Sequence, residues 1–162
     1  MLPILYEDNH IIAVEKPSGL PSQITPDGRK GAEDIVREFI EVRDEKPGKA
    51  FVHVVHRLDT AASGILLLAK TSKALSRLSE AIREKKIKKR YLALVEGIFN
   101  THEKKLTDYM QHSSRKAIAA NEEGKKAELE IVNSRPIAGN KTLLLIELIT
   151  GRYHQIRFQL SQ

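Results

Sequence analysis

The segment His53-Val54-Val55-His56-Arg57-Leu58-Asp59-Thr60-Ala61-Ala62-Ser63-Gly64-Ile65-Leu66-Leu67-Leu68-Ala69 sets a crowd of ionisable groups against an apolar run. Gly64–Lys70 is short, continuous and apolar, the pattern of a buried strand. The polar half before it admits three readings: a metal site, a catalytic carboxylate, or a loop that merely leads into the core. His53 and His56 have poor spacing for a metal, because strand-like valines lie between them and no Glu stands where a zinc protease has one. Asp59 lies in a Thr/Ala/Ser/Gly turn. A carboxylate there ordinarily caps the turn by accepting backbone N–H groups. Arg57 two residues before it and Gly64 after it point instead to a carboxylate positioned at the mouth of a cleft.

Outward from this segment the elements alternate in type. Ser72–Lys85 reads as a helix, with Leu75, Leu78, Ala81 and Ile82 at helical spacing and Ser72 as its cap. Tyr91–Val95 reads as a strand closed by Glu96-Gly97. On the N-terminal side, Ile4–Tyr6 and Ile11–Val14 form two short strands around the turn Glu7-Asp8-Asn9-His10. Lys16-Pro17-Ser18-Gly19-Leu20-Pro21 breaks regular structure. Ala32–Glu41 is a helix with Ile35, Val36, Phe39 and Ile40 on one face, and Pro47-Gly48 ends that region. Ala127–Val132 alternates apolar residues with Glu as a half-exposed strand does. Leu143–Ile149 is a second buried strand, closed by Thr150-Gly151, and Tyr153–Leu160 begins a helix. Without a strict βαβ rhythm, the pattern predicts a mixed sheet with flanking helices.

Composition narrows the function. The chain has 162 residues, 41% of them hydrophobic and 30% charged, enough for one ordinary domain with a real core. It has no cysteine, which excludes disulfides, thiolate catalysis and cysteine-ligated metal centres. The expected setting is cytoplasmic, since no run approaches a membrane span and the N-terminus lacks the pattern of a secretory signal. A net charge of +6 favours a polyanionic partner. The run Lys85-Lys86-Ile87-Lys88-Lys89-Arg90 abuts Tyr91, so cations could track a phosphate backbone while the ring stacks on a base. Equally, the run is a solvated helix end and Tyr91 a core residue with its hydroxyl reaching water. In Gly151-Arg152-Tyr153-His154-Gln155-Ile156-Arg157, the arginines suit a phosphate or a carboxylate, or simply a solvated helix start.

Taken together and in order, these clusters resemble the RluA-type pseudouridine synthases. His56–Leu68 is similar to the family's His-Arg-Leu-Asp, Ser-Gly and apolar strand. Lys89–Gly97 is similar to Lys-x-Tyr-x-Ala-x-Val-x-Gly, and Thr150–Arg157 to Thr-Gly-Arg-x-His-Gln-Ile-Arg. Ile4–Leu20 resembles the family's N-terminal strand pair. The sequence departs from the family in having Ala62 where Thr is usual and Tyr153 where a smaller residue is common. The resemblance implies an α+β fold with a largely antiparallel sheet and a central RNA-binding cleft. It implies isomerisation of uridine to pseudouridine in ribosomal or transfer RNA, without metal or other cofactor, by a monomer that contacts no membrane. By the same resemblance Asp59 is the catalytic carboxylate, acting as nucleophile or as base on the sugar. Arg57 fills the space left by the flipped nucleotide, Tyr91 stacks on the target base, and Arg157 pairs with Asp59. The whole of 1–162 is then one catalytic domain, and because relatives run on past the Gln-Ile-Arg motif, its C-terminal part is expected to be missing. Two alternatives remain open: a non-catalytic RNA-binding protein of the same fold, and a metal-dependent hydrolase using His53, His56 and Asp59.

Overall fold

The computed structural model describes residues 1–45, 48–99, 104–113, 116–120 and 123–162, in two compact units, 1–84 and 85–162. In the first, β1 (Ile4–Glu7) and β2 (Ile11–Lys16) are joined by an Asp8 turn. The Asp8 carboxylate accepts from the N–H groups of His10 and Ile11, at 2.7 and 2.8 Å. Helix α1 (Ala32–Arg43) follows, then β3 (His53–Val54), β4 (Gly64–Ala69) and α2 (Ser72–Arg83). The strands form an antiparallel sheet ordered β1-β2-β4-β3. Its register sets Ile12 opposite Leu68 and Val14 opposite Leu66, and these four are wholly buried.

β4 is not buried throughout, as its continuous apolar run suggested. Leu66 and Leu68 on one face are buried, whereas on the other Ile65 is 63% exposed and Leu67 only partly covered, and that face closes over only at Ala69. Helix α1 buries Ala32, Val36 and Ile40 and runs slightly past the expected Glu41. Its start is pinned by Asp34, whose carboxylate reaches back to the Gly31 N–H at 3.0 Å. The cap of α2 is Thr71 rather than Ser72: the Thr71 hydroxyl accepts from Ala74 N–H at 3.2 Å. Thr71 has the extended backbone that a cap needs, whereas Ser72 is already helical.

The second unit is a five-stranded antiparallel sheet, ordered β5-β9-β8-β6-β7, with one short helix. Its strands are β5 (Arg90–Glu96), β6 (Lys105–Ser113), β7 (Lys116–Ala119), β8 (Lys125–Ile137) and β9 (Lys141–Leu148), and the helix is α3 (Gln155–Gln159). Leu129 and Ile131 of β8 with Leu144, Ile146 and Leu148 of β9 form its core. A bulge between Ile131 and Asn133 interrupts the ladder. β6 and β7 occupy the stretch Thr101–Asn121, to which the sequence pattern assigned no element. Of that stretch 101–103, 114–115 and 121 lie outside the described residues, as does the expected breaker Pro47. The α+β, antiparallel expectation holds, with every described ladder antiparallel. No helix among the described residues is long and apolar enough to cross a membrane.

Candidate active site

Asp59 is half-buried in the loop between β3 and β4. It opens a tight turn in which its carbonyl accepts from Ala62 N–H at 3.0 Å, the position where Asp is favoured in type I turns. The turn delivers the chain to Gly64, whose φ of +139° no side chain adopts readily; an added Cβ would meet Leu58 at an ordinary 3.9 Å, so conformation and not space asks for glycine here. Arg57, two residues before Asp59, is exposed.

The two histidines have separate duties. β3 pairs with β4 only through Ala69 and Leu68; beyond that, Val55 N–H donates to Leu67 O and Leu67 N–H donates to His56 Nε2 at 3.3 Å. His56 thus continues the strand edge with a side-chain acceptor, which requires a neutral imidazole carrying its proton on Nδ1. His53 is largely exposed, edge-on to Phe51, with Nδ1 3.8 Å from Glu33. Among the described residues no group of three or more His, Cys, Asp or Glu is arranged to hold a metal ion.

A residue that sequence reading missed lies behind the loop. Lys16 is fully buried, its ammonium donating to the carbonyls of Pro17 at 3.0 Å and Leu20 at 2.6 Å. Burial pushes it below the usual lysine value, while the negative charge of Asp59 pulls the other way. A signal for it was present: Ile12, Val14 and Lys16 share one face of β2, and that face is the core.

In the second unit, Tyr91 is the second residue of β5, opposite Ile146, and packs against the sheet core. Its ring is therefore partly a core element, the alternative its sequence allowed. Arg157 is exposed on α3, with Nη1 3.3 Å from His154 Nε2. That helix is locked to the sheet by two buried amides. Gln155 accepts from the Thr150 hydroxyl at 2.7 Å and Arg152 N–H at 3.0 Å, and donates to Glu128 O at 3.0 Å and Gln159 at 2.9 Å. Gln159 donates in turn to Asp108 at 2.6 Å. Lys89 is half-buried beside Gly151, and desolvation lowers its pKa. A cleft of about 540 Å³ in this unit is lined by Met110, Gln111, Lys125, Arg152 and Tyr153 among others, and by neither Tyr91 nor Arg157. The structure thus places Arg57 and Asp59 together on one loop of the first unit, and Tyr91 and Arg157 on separate elements of the second.

Comparison with known proteins gives this arrangement a family. A family model described as RNA pseudouridylate synthase matches residues 10–162, a span that includes all four candidate residues. The ribosomal large subunit pseudouridine synthase C of Buchnera aphidicola subsp. Acyrthosiphon pisum (strain APS) is 39% identical over 158 residues, covering 95% of this chain and 48% of that protein. The protein of the same name from Escherichia coli (strain K12) is 39% identical over 158 residues, covering 95% of this chain and 47% of that protein. The chain therefore spans about half the length of the curated relatives it matches. Among solved structures, Human RNA Pseudouridylate Synthase Domain Containing 4 superposes with a TM-score of 0.78 at 20% identity, over 98% of this chain and 63% of that one. Human RNA Pseudouridylate Synthase Domain Containing 1 gives 0.69 at 22% identity, over 99% of this chain and 64% of that one. The fold is shared with both, and by sequence the chain belongs to the RNA pseudouridylate synthase family, in its RluA-type branch.

Proposed function

We propose that this chain isomerises uridine to pseudouridine in RNA, with ribosomal RNA of the large subunit as substrate and Asp59 as the catalytic carboxylate. The observation that carries this reading is the family match across 10–162, with the His-Arg-Leu-Asp motif ending on a half-buried carboxylate at a turn before a core strand. The large-subunit substrate follows the names of the relatives. In the reaction the bond from ribose C1′ to N1 of the base breaks and a bond from C1′ to C5 forms. The C5 proton leaves to solvent and N1 regains a proton, so no oxidant or group donor is consumed and no cofactor is called on. Asp59 acts on the sugar, as nucleophile at C1′ or as base. Either role needs an ionised, oriented carboxylate screened from bulk water.

The other roles follow the motif resemblance. Flipping a base out of RNA costs a few kcal/mol. Arg57, exposed two residues from Asp59, fills the vacated space, and Tyr91 stacks on the extruded base. By the same resemblance Arg157 is the partner of the Asp59 carboxylate. The net charge of +6 and the basic run 85–90 supply attraction to phosphate that weakens steeply with salt.

The test is tritium release from RNA labelled at C5 of uridine, with ribosomal and transfer RNA as separate substrates. The wild type should release tritium from ribosomal RNA, and Asp59→Ala should lose about 10⁴-fold or more in kcat, the scale seen when an essential catalytic side chain is removed. Release that survives in Asp59→Ala would overturn the role of Asp59. RNA binding with no release by the wild type would establish the non-catalytic alternative.

A further inference from the structure

Every backbone carbonyl from Leu58 to Ala61 has a partner, and three of the four partners come from one strap, residues 18–22. The Ser22 hydroxyl donates to Leu58 O at 2.8 Å, Gly19 N–H donates to Thr60 O at 2.7 Å, and the Ser18 hydroxyl donates to Ala61 O at 2.8 Å. The fourth, Asp59 O, is closed within the turn by Ala62 N–H. The strap is itself anchored twice. Lys16 grips it from the core side through Pro17 O and Leu20 O. The first turn of α1 grips it from the other, Ala32 N–H donating to Pro21 O at 2.8 Å and Glu33 N–H to Ser22 O at 3.1 Å.

Ser22 differs from the other contacts. Its oxygen also accepts from Leu58 N–H at 3.0 Å, so one hydroxyl satisfies both backbone groups of the residue before Asp59, as a neighbouring strand would. It is 5% exposed, so water cannot readily replace it, whereas Ser18 is on the surface. We infer that Ser22 is the positioning residue for Asp59: by fixing the Leu58 peptide groups it sets the direction in which the carboxylate leaves the loop. This deepens the function proposed above and rests on Asp59 being the catalytic carboxylate.

The experiment measures kcat and KM for tritium release, with RNA affinity alongside, for the wild type, Ser22→Ala, Ser22→Thr and Ser18→Ala. Ser22→Ala should lower kcat about 10- to 100-fold, the cost of misplacing a reacting group by about 1 Å, with KM and RNA affinity unchanged. Ser22→Thr, which keeps the hydroxyl, should recover most of that kcat, and Ser18→Ala should stay close to wild type. If Ser22→Ala does not fold, Ser22→Cys carries the comparison, since it keeps the volume and donates only weakly. A folded Ser22→Ala or Ser22→Cys with wild-type kcat overturns the positioning role, as does a loss confined to KM or RNA affinity. A wild type that releases no tritium overturns instead the function on which the inference rests, and the positioning role with it.

Discussion

The two units secure their candidate functional residues by opposite means. In the first, Asp59 sits in a loop held through its own backbone: its carbonyls meet the short hydroxyls and peptide groups of a neighbouring strap. In the second, Arg157 rides on a five-residue helix, far too short to be stable alone. That helix is held by the long amides of Gln155 and Gln159, each reaching into the sheet. A loop exposes many peptide groups, so small side chains suffice to tie it down. A helix points its peptide groups along its own axis, so its flank must be anchored by side chains. An amide both donates and accepts, and when buried it leaves several partners stranded if it is removed.

The largest effect should therefore fall on the second unit. Gln155→Leu takes a partner from Arg152 N–H, Gln159 Oε1 and Glu128 O, and leaves the Thr150 hydroxyl only its longer contact to Glu128 O, at a site only 2% exposed. The expected loss is about 2–4 kcal/mol, read from urea unfolding followed by circular dichroism. A loss no larger than a surface substitution gives would break the contrast, because the helix would then be anchored by its apolar contacts through Ile156 and Leu160 instead.

A smaller effect is expected at the root of the strap. A Cβ added at Gly31 would lie 2.4 Å from the Gln23 carbonyl carbon and 2.6 Å from its Cα and N, backbone atoms that cannot rotate aside. Gly31 has an ordinary φ of −103°, so close approach and not conformation demands glycine. Gly31→Ala should cost about 1–3 kcal/mol in the same unfolding assay, the range for overpacked sites. Because Gln23 follows Ser22, kcat should fall as well. Stability lost with kcat intact would show that the strap can shift without moving Asp59.

The sequence showed some of this arrangement and hid the rest, for physical reasons. Strands with a long apolar run were legible: β9 falls on the expected run Leu143–Ile149, although it buries only alternate residues, Thr142, Leu144, Ile146 and Leu148, and not the whole run. β6 was not, because Lys105, Thr107, Asp108 and Gln111 give it the polarity of a surface loop, and its pairing with β8 is a tertiary fact. The Thr71 cap was displaced by one residue, since Thr and Ser are both good caps and only the backbone tells them apart. Asp59, Arg57, Tyr91 and Arg157 were picked out by motif. Ser22 carried no signal, because its importance lies in a partner 36 residues away.

Charge offers the finest comparison, between a carboxylate in each unit that two cations lower, Glu7 and Glu128. Glu7 receives a two-pronged contact from Arg43, at 2.7 and 2.8 Å, together with Lys70. The Arg43 guanidinium, and after it the Lys70 ammonium, hold the Glu7 carboxyl at about 2 against an ordinary 4.5. Glu128 is lowered by Lys105 and then Lys126, at 2.9 and 3.1 Å. Both cations of that second pair are more than half exposed, whereas Lys70 is 13% exposed. The point-like ammonium contacts also lack the matched fork that arginine offers a carboxylate. A carboxylate lowered in the folded state stabilises fully above its unfolded pKa and loses that contribution as pH falls through the folded one. Glu7→Gln should thus cost about 1 kcal/mol at neutral pH after allowance for solvent screening. Urea unfolding at stepped pH should show that difference shrinking as pH drops below 4.5 and vanishing near 2. Glu128→Gln should follow the same direction with a smaller amplitude and a stronger response to added salt. Equal amplitudes would mean that the arginine fork adds nothing over two solvated lysines, and the contrast between the units would then rest on their hydrogen bonds alone.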